Sequence, residues 1–172
     1  VDEALRAELL SRRAEDQRIR IQAMQTAGPD GILPGNVGRE WARIDESNTR
    51  WLTELTRQQG WPGRSQVGDD GAHAAWLLAQ HADQDPDQQR RFLGLLREAV
   101  AAGEASAANL AYLEDRVRVH AGQSQLYGTQ FTRDEHGLRP DPIEDPTRLD
   151  ERRAAAGLGP FAEYEARMRG AD

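Results

Sequence analysis

The chain has 172 residues, 38% hydrophobic and 30% charged, with 22 basic against 29 acidic side chains and a net charge of −7 at pH 7. That length suits one domain with a real core, and the acidity makes nucleic-acid backbones and anionic membranes poor partners. There is no cysteine and no lysine, which excludes disulfides, thiolate nucleophiles, zinc–thiolate sites, Schiff bases and the phosphate-loop lysine.

Taken in order, Asp2 to Met24 has helical periodicity, with Leu10, Ala14, Gln17, Ile21 and Met24 on one stripe. Gln17 interrupts that stripe, either as an edge residue reaching water or as a side chain turned inward for a purpose. Gly28 to Gly35 is a loop by its glycines and prolines. A second helix is expected from about Val37 to Gln59, stopping at Gly60. Its apolar stripe runs through Val37, Trp41, Ile44, Trp51, Leu52 and Leu55, with Asn48 in its middle. A buried amide costs free energy unless paired, so Asn48 should meet a polar partner or a ligand. Asp45 lies one turn earlier near the same face. Gly60-Trp61-Pro62-Gly63 is a stiff turn whose tryptophan caps the core or borders a site.

A third helix is expected from Asp69 or Asp70 to His81, with Ala74, Leu77 and Leu78 inward and His81 continuing their stripe. A histidine there is either a satisfied core group or a proton carrier. Asp85-Pro86 opens a fourth helix, N-cap then proline, and its stripe of Phe92, Leu95, Leu96, Ala99 and Val100 reads as purely structural. Ser106 caps a fifth helix, which carries Leu110, Leu113 and Val117 on one line and Tyr112 and Val119 on another. After the stop at Gly122, the run to Phe131 gathers Gln123, Gln125, Tyr127, Thr129 and Gln130 beside apolar anchors. This stretch is expected to form one wall of a polar pocket, with earlier helices as the others. A hairpin turning at Asp134 to Gly137 follows, then a short helix capped by Asp145 and a last helix ending near Arg169. The expected architecture is mainly all-α: a helical, bundle-like single domain with a small C-terminal β-hairpin or extended segment.

Several pieces together resemble an uncharacterised bacterial family, a domain of unknown function. They are Gly60-Trp61-Pro62, Gln80 to Asp83, Tyr112 to Arg116, Gln125 to Gln130, Pro142 to Asp145 and Arg152 to Leu158, with fainter likeness at Asp16-Gln17, Asp45 and Asn48. The resemblance covers nearly the whole chain and implies one intact domain; it brings no activity with it.

Chemistry is bounded by what is missing. No pair of histidines or Glu-x-x-His repeats has metal-ligand spacing, and no glycine-rich nucleotide loop or G-x-S-x-G elbow appears, so neither metal nor cofactor is expected. General acid–base work remains. The candidate catalytic residues are His81, Asp115 and Tyr127; Gln17, Asp45, Asn48, Trp61, Arg116, Gln123, Gln125 and Gln130 are candidates for holding a substrate. The reading is a metal-independent hydrolase, lyase or cyclase acting on a small polar metabolite. Against it stands a non-catalytic ligand- or protein-binding module, with Trp41 and Trp51 facing a partner and the Asp115–Arg116 group only tying a loop to the helices. A small-molecule ligand is expected, and a protein partner or homo-oligomer stays open. No stretch reads as a membrane span or signal peptide, so the expected location is cytoplasmic.

Overall fold

A computed structural model describes residues 1–170. The fold is mainly α-helical with one small antiparallel hairpin toward the C-terminus. Two compact units divide the chain, the first from Val1 to Ala105 and the second from Ser106 onward.

The first unit consists of α1 (Glu3–Thr26), α2 (Gly35–Gln59), α3 (Arg64–Gln80) and α4 (Pro86–Ala101). The helix ends follow the local chemistry. Asp2 accepts the Leu5 amide at 3.0 Å and Asp85 the Gln88 amide at 3.2 Å, each satisfying a donor that the first turn leaves open. Gly60 ends α2 with φ 79°, a conformation that a Cβ resists. The Trp61-Pro62-Gly63 turn sets up α3: a Cβ on Gly63 would lie 2.6 Å from the Glu104 carboxylate. That close approach lets Glu104 accept the Ser65 amide at 2.8 Å, and this bond holds the carboxyl below its usual range. The helix is interrupted at Gly68 (φ 74°), so its regular run begins at Asp69, where the sequence places its start.

α1 turns a different face inward than its apolar residues suggest. Leu9, Asp16, Ile19 and Ala23 are buried, whereas Ile21 and Met24 are 49% and 78% exposed. The helix is rotated by about one residue, roughly 100°, because a charged residue sits on the buried face with partners waiting for it. α4 also departs from a purely apolar pattern. Gln89, 1% exposed, donates to the carbonyls of Ala79 and Gln80 and to Asp83 Oδ1 at 2.9 Å. Those acceptors lie at the end of α3, so Gln89 holds the turn that carries His81.

The second unit opens with α5 (Ala107–His120), capped by Ser106 as its sequence indicates. Strands β1 (Phe131–Asp134) and β2 (Gly137–Pro140) follow, paired antiparallel from Phe131–Pro140 to Asp134–Gly137. A 3-10 turn over Pro146–Arg148 leads into α6 (Leu149–Ala155), and α7 (Phe161–Met168) ends the described chain. Leu113 and Leu149 are buried here, and aromatic rings pack together: Phe131 stacks on Phe161 with centroids 6.2 Å apart, and Tyr164 meets both Tyr112 and Phe131 edge-on.

Candidate functional site

Two buried polar networks hold most of the residues that the sequence singles out, one in each unit. In the first unit the centre is Asp16, which is fully buried on α1. Its Oδ1 lies 2.7 Å from Nδ1 of His81, the residue that ends α3, and accepts Arg20 Nη1 at 2.8 Å. Gln17, itself exposed, donates to the other oxygen at 2.8 Å. A carboxylate only accepts, so the shared hydrogen with His81 belongs to Nδ1. The opposite ring nitrogen, Nε2, has no hydrogen-bond partner among the described residues, and the side chain is 16% exposed.

Arg20 carries the network on to α2. Its two terminal nitrogens reach both oxygens of Asp45 at 3.1 and 2.9 Å, and Trp41 Nε1 donates to Asp45 Oδ2 at 2.9 Å. The guanidinium also lies over the Trp41 ring, 5.0 Å from its centroid. Two buried carboxylates thus share one arginine, with a histidine, an indole and an amide filling the remaining lone pairs. Carboxylates held on several sides in this way are rigid, and rigidity is what a positioned imidazole needs.

Asn48, one turn beyond Asp45, is buried at 4% exposure. Its Oδ1 accepts Arg12 Nη1 at 3.1 Å, and that guanidinium lies 4.6 Å over the Trp51 ring. Both tryptophans of α2 are therefore half-covered by arginines from α1. Two hollows flank Arg12 and Ser47. One of about 900 Å³ is lined by Trp51, Gln84 and Gln88 among others, and one of about 350 Å³ lies between α1 and α2 with Asn48 in its wall. Trp61 stands apart from these groups, edge-on to Phe92 at 6.4 Å.

In the second unit the centre is Asp115, fully buried on α5. Its oxygens accept the backbone amides of Leu126, Tyr127 and Thr129 at 2.7 to 3.2 Å and the Thr129 hydroxyl at 2.8 Å. Burial pushes the carboxyl above its ordinary value, while these donors pull it back toward the ionised form. The loop's carbonyls are met from the other side. Arg152 Nε binds Leu126 O at 2.7 Å, and Arg153, 1% exposed, binds Tyr127 O at 2.6 Å and Gly159 O at 2.7 Å. Gln125, also fully buried, bridges Gln130 and Asp141 through its side chain. Arg116 donates to Gln130 Oε1 at 3.1 Å. Tyr127 is half-buried and Gln123 exposed. Gly128 (φ 67°) packs so closely under Phe161 that a Cβ would come within 2.9 Å of the ring. Here the polar side chains are turned onto the loop's own backbone.

Among the described residues no group of three His, Asp or Glu side chains has the spacing of a metal site. No helix among them is long and apolar enough to cross a membrane.

A family model matches residues 3–171. The chain belongs to the family of unknown function DUF6624. Searches of curated proteins and of solved structures find no match to it. In this DUF6624 chain the residues that carry the sequence resemblance fall largely in the two networks: Asp16, Gln17, Asp45 and His81 in one, Asp115, Gln125 to Gln130, Arg152 and Arg153 in the other.

Sequence analysis names His81 and Asp115 together as candidate catalytic residues; the carboxylate bonded to His81 is Asp16, and Asp115, in the second unit, accepts from the backbone of its own loop. Arg20 and Trp41 were also missed as polar partners. The available signal was the Asp16–Arg20 spacing of four, which puts opposite charges on one helix face.

Proposed function

We propose that this DUF6624 chain is a metal-independent enzyme that acts on a small polar metabolite by general acid–base catalysis, with His81 as the proton-transfer group. One observation carries the reading: His81 donates Nδ1–H to the buried Asp16 and keeps Nε2 without a partner. That arrangement orients an imidazole and leaves one nitrogen for a substrate. Arg20 and Gln17 hold Asp16, and Gln89 holds the turn of His81, so both partners are positioned. Hydrolase, lyase and cyclase chemistry all suit such a group. The test is mass-spectrometric turnover of a pool of small polar metabolites by wild type and His81→Ala. The expected result is a compound consumed by wild type and spared by the variant at unchanged melting temperature, a loss of about 10²–10⁴-fold. A variant that melts early, with no compound consumed by wild type, would overturn the reading.

A second reading, a non-catalytic ligand-binding module, is favoured by the hollow beside Asn48. It predicts saturable binding without turnover, in wild type and His81→Ala alike.

A further inference from the structure

We propose that the hollow on α2 beside the start of α4 is a binding site for a neutral polyhydroxylated compound of the sugar type, received by the Thr49 hydroxyl and the side-chain amides of Gln84 and Gln88. The site lies within the first unit and does not require His81 to be catalytic.

Two hydrogen bonds frame the seam between α2 and the segment that opens α4. Gln84 Nε2 donates to the Ala42 carbonyl at 3.2 Å, and Thr53 Oγ1 donates to Gln88 Oε1 at 3.3 Å. Ala42, Thr49 and Thr53 fall on one side of α2 by their helical spacing, so Thr49 stands inside this frame. With Gln84 and Gln88 it borders the hollow of about 900 Å³, a volume within the range of small-ligand sites. Thr49 is only 7% exposed, and its hydroxyl has no hydrogen-bond partner among the described residues, yet the oxygen is not sealed from solvent. Each frame bond uses one end of a side-chain amide. The Gln84 oxygen and the Gln88 NH₂ group have no partner among the described residues. A hydroxyl, an acceptor and a donor thus border one hollow uncommitted. A ligand hydroxyl donates and accepts at once, so neighbouring hydroxyls match that set.

Charge around the hollow selects for a neutral occupant. Arg12, Arg50 and Arg57 border it against Glu46, Glu54 and Asp85, so the two signs cancel. Several of these groups are already engaged: Arg50 with Glu46 at 2.9 Å, Arg12 Nε with Glu8 at 2.7 Å, and Asp85 with the Gln88 backbone amide at 3.2 Å. A charged ligand entering here gives up hydration and meets no net field of the opposite sign to replace it. An uncharged polyol gives up only hydroxyl hydration, which the Thr49, Gln84 and Gln88 groups restore.

The probes are glucose, gluconate and glucosamine, which share a hydroxyl-bearing skeleton and differ in charge. Each is titrated into the full chain while the Thr49 methyl group and the side-chain NH₂ groups of Gln84 and Gln88 are followed by NMR. Glucose is expected to shift all three resonances saturably, and both charged analogues to bind more weakly. Thr49→Val keeps the shape of the side chain and removes a hydroxyl that bonds to nothing in the protein. It should melt with wild type and bind glucose about tenfold more weakly. Thr49→Ser restores the hydroxyl and should restore binding. His81→Ala should leave binding as it is, which separates this site from the catalytic reading. Absence of a saturable shift with glucose, equal glucose binding by Thr49→Val, a charged analogue binding as tightly as glucose, or loss of binding in His81→Ala would each overturn the proposal.

Discussion

Asp16 and His81 stand 65 positions apart in the chain and 2.7 Å apart in the fold, joined Oδ1 to Nδ1. This contact fixes which imidazole nitrogen carries hydrogen when the ring is neutral. The expected outcome is an Nδ1–H tautomer for His81 in wild type, visible in its ring ¹⁵N shifts. Asp16→Ala should abolish that preference. The same change leaves Arg20 with Asp45 as its one carboxylate in a partly buried site, so it should also cost about 3 kcal/mol of stability by denaturant unfolding. An unchanged tautomer in Asp16→Ala would mean the bond does not orient the ring.

Asp115 answers a different demand. Three backbone amides and a hydroxyl converge on it, and removing the carboxylate leaves them buried without acceptors. Asp115→Ala should therefore destabilise by about 3–5 kcal/mol. Hydrogen exchange of the Leu126, Tyr127 and Thr129 amides should accelerate at the same time. Protection that survives the substitution would show that the loop is held by Arg152 and Arg153 without it.

These two aspartates mark where the sequence could be read and where it could not. Helix ends were legible because their chemistry is local: Asp85-Pro86, Ser106 and Gly60 act within a turn of themselves. The hairpin at Asp134 to Gly137 was legible for the same reason. The inward face of α1 was not. Apolar periodicity picks Leu10, Ile21 and Met24, since a charged residue counts against burial, and Asp16 is buried only because Arg20, His81 and Gln17 satisfy it. One of those partners comes from a distant helix. Gln89 escaped notice likewise: its acceptors include backbone carbonyls at the end of α3, which leave no side-chain pattern. Asp115 was recognised as unusual, but its partners are backbone amides, equally silent in a sequence.

Arg6 and Asp70 give a pH dependence with a defined window. Two hydrogen bonds of 2.9 and 2.7 Å, together with the Gly71 amide, hold the Asp70 carboxyl down to about 2. A depressed carboxylate stabilises the fold above its unfolded value of about 4 and loses that contribution as pH falls toward its folded value. Wild type should therefore be more stable than Asp70→Asn above pH of about 4, with the difference fading as the carboxyl protonates near 2. Parallel acid unfolding curves of the two proteins check this; a constant gap across the window would assign the effect to packing instead.

Gly128 tests how tightly the second unit is built. Its φ of 67° strains any L-residue by about 1–2 kcal/mol, and the Phe161 ring occupies the place of a Cβ. Gly128→Ala should cost about 2 kcal/mol or more. Pairing it with Phe161→Leu should recover part of that loss, because the smaller side chain removes the steric share and leaves the backbone share. Full additivity in the double-mutant cycle would mean the ring does not press on the loop.

Tyr164 sets the alkaline limit of the same unit. Its hydroxyl donates to the Thr129 carbonyl at 2.9 Å, and burial with the neighbouring Tyr112 pushes the phenol well above its ordinary value. Between the unfolded value of about 10 and the raised folded one, the folded chain keeps a proton that the unfolded chain releases, so stability falls as pH rises. Tyr164→Phe retains the ring and its edge contacts but has no proton to lose. It should be less stable than wild type at neutral pH, through the lost hydrogen bond, and the gap should narrow as pH climbs past the ordinary tyrosine range. Phenolate absorbance followed beside unfolding would time that convergence to one ionisation. A gap that stays constant would place the alkaline sensitivity at another group.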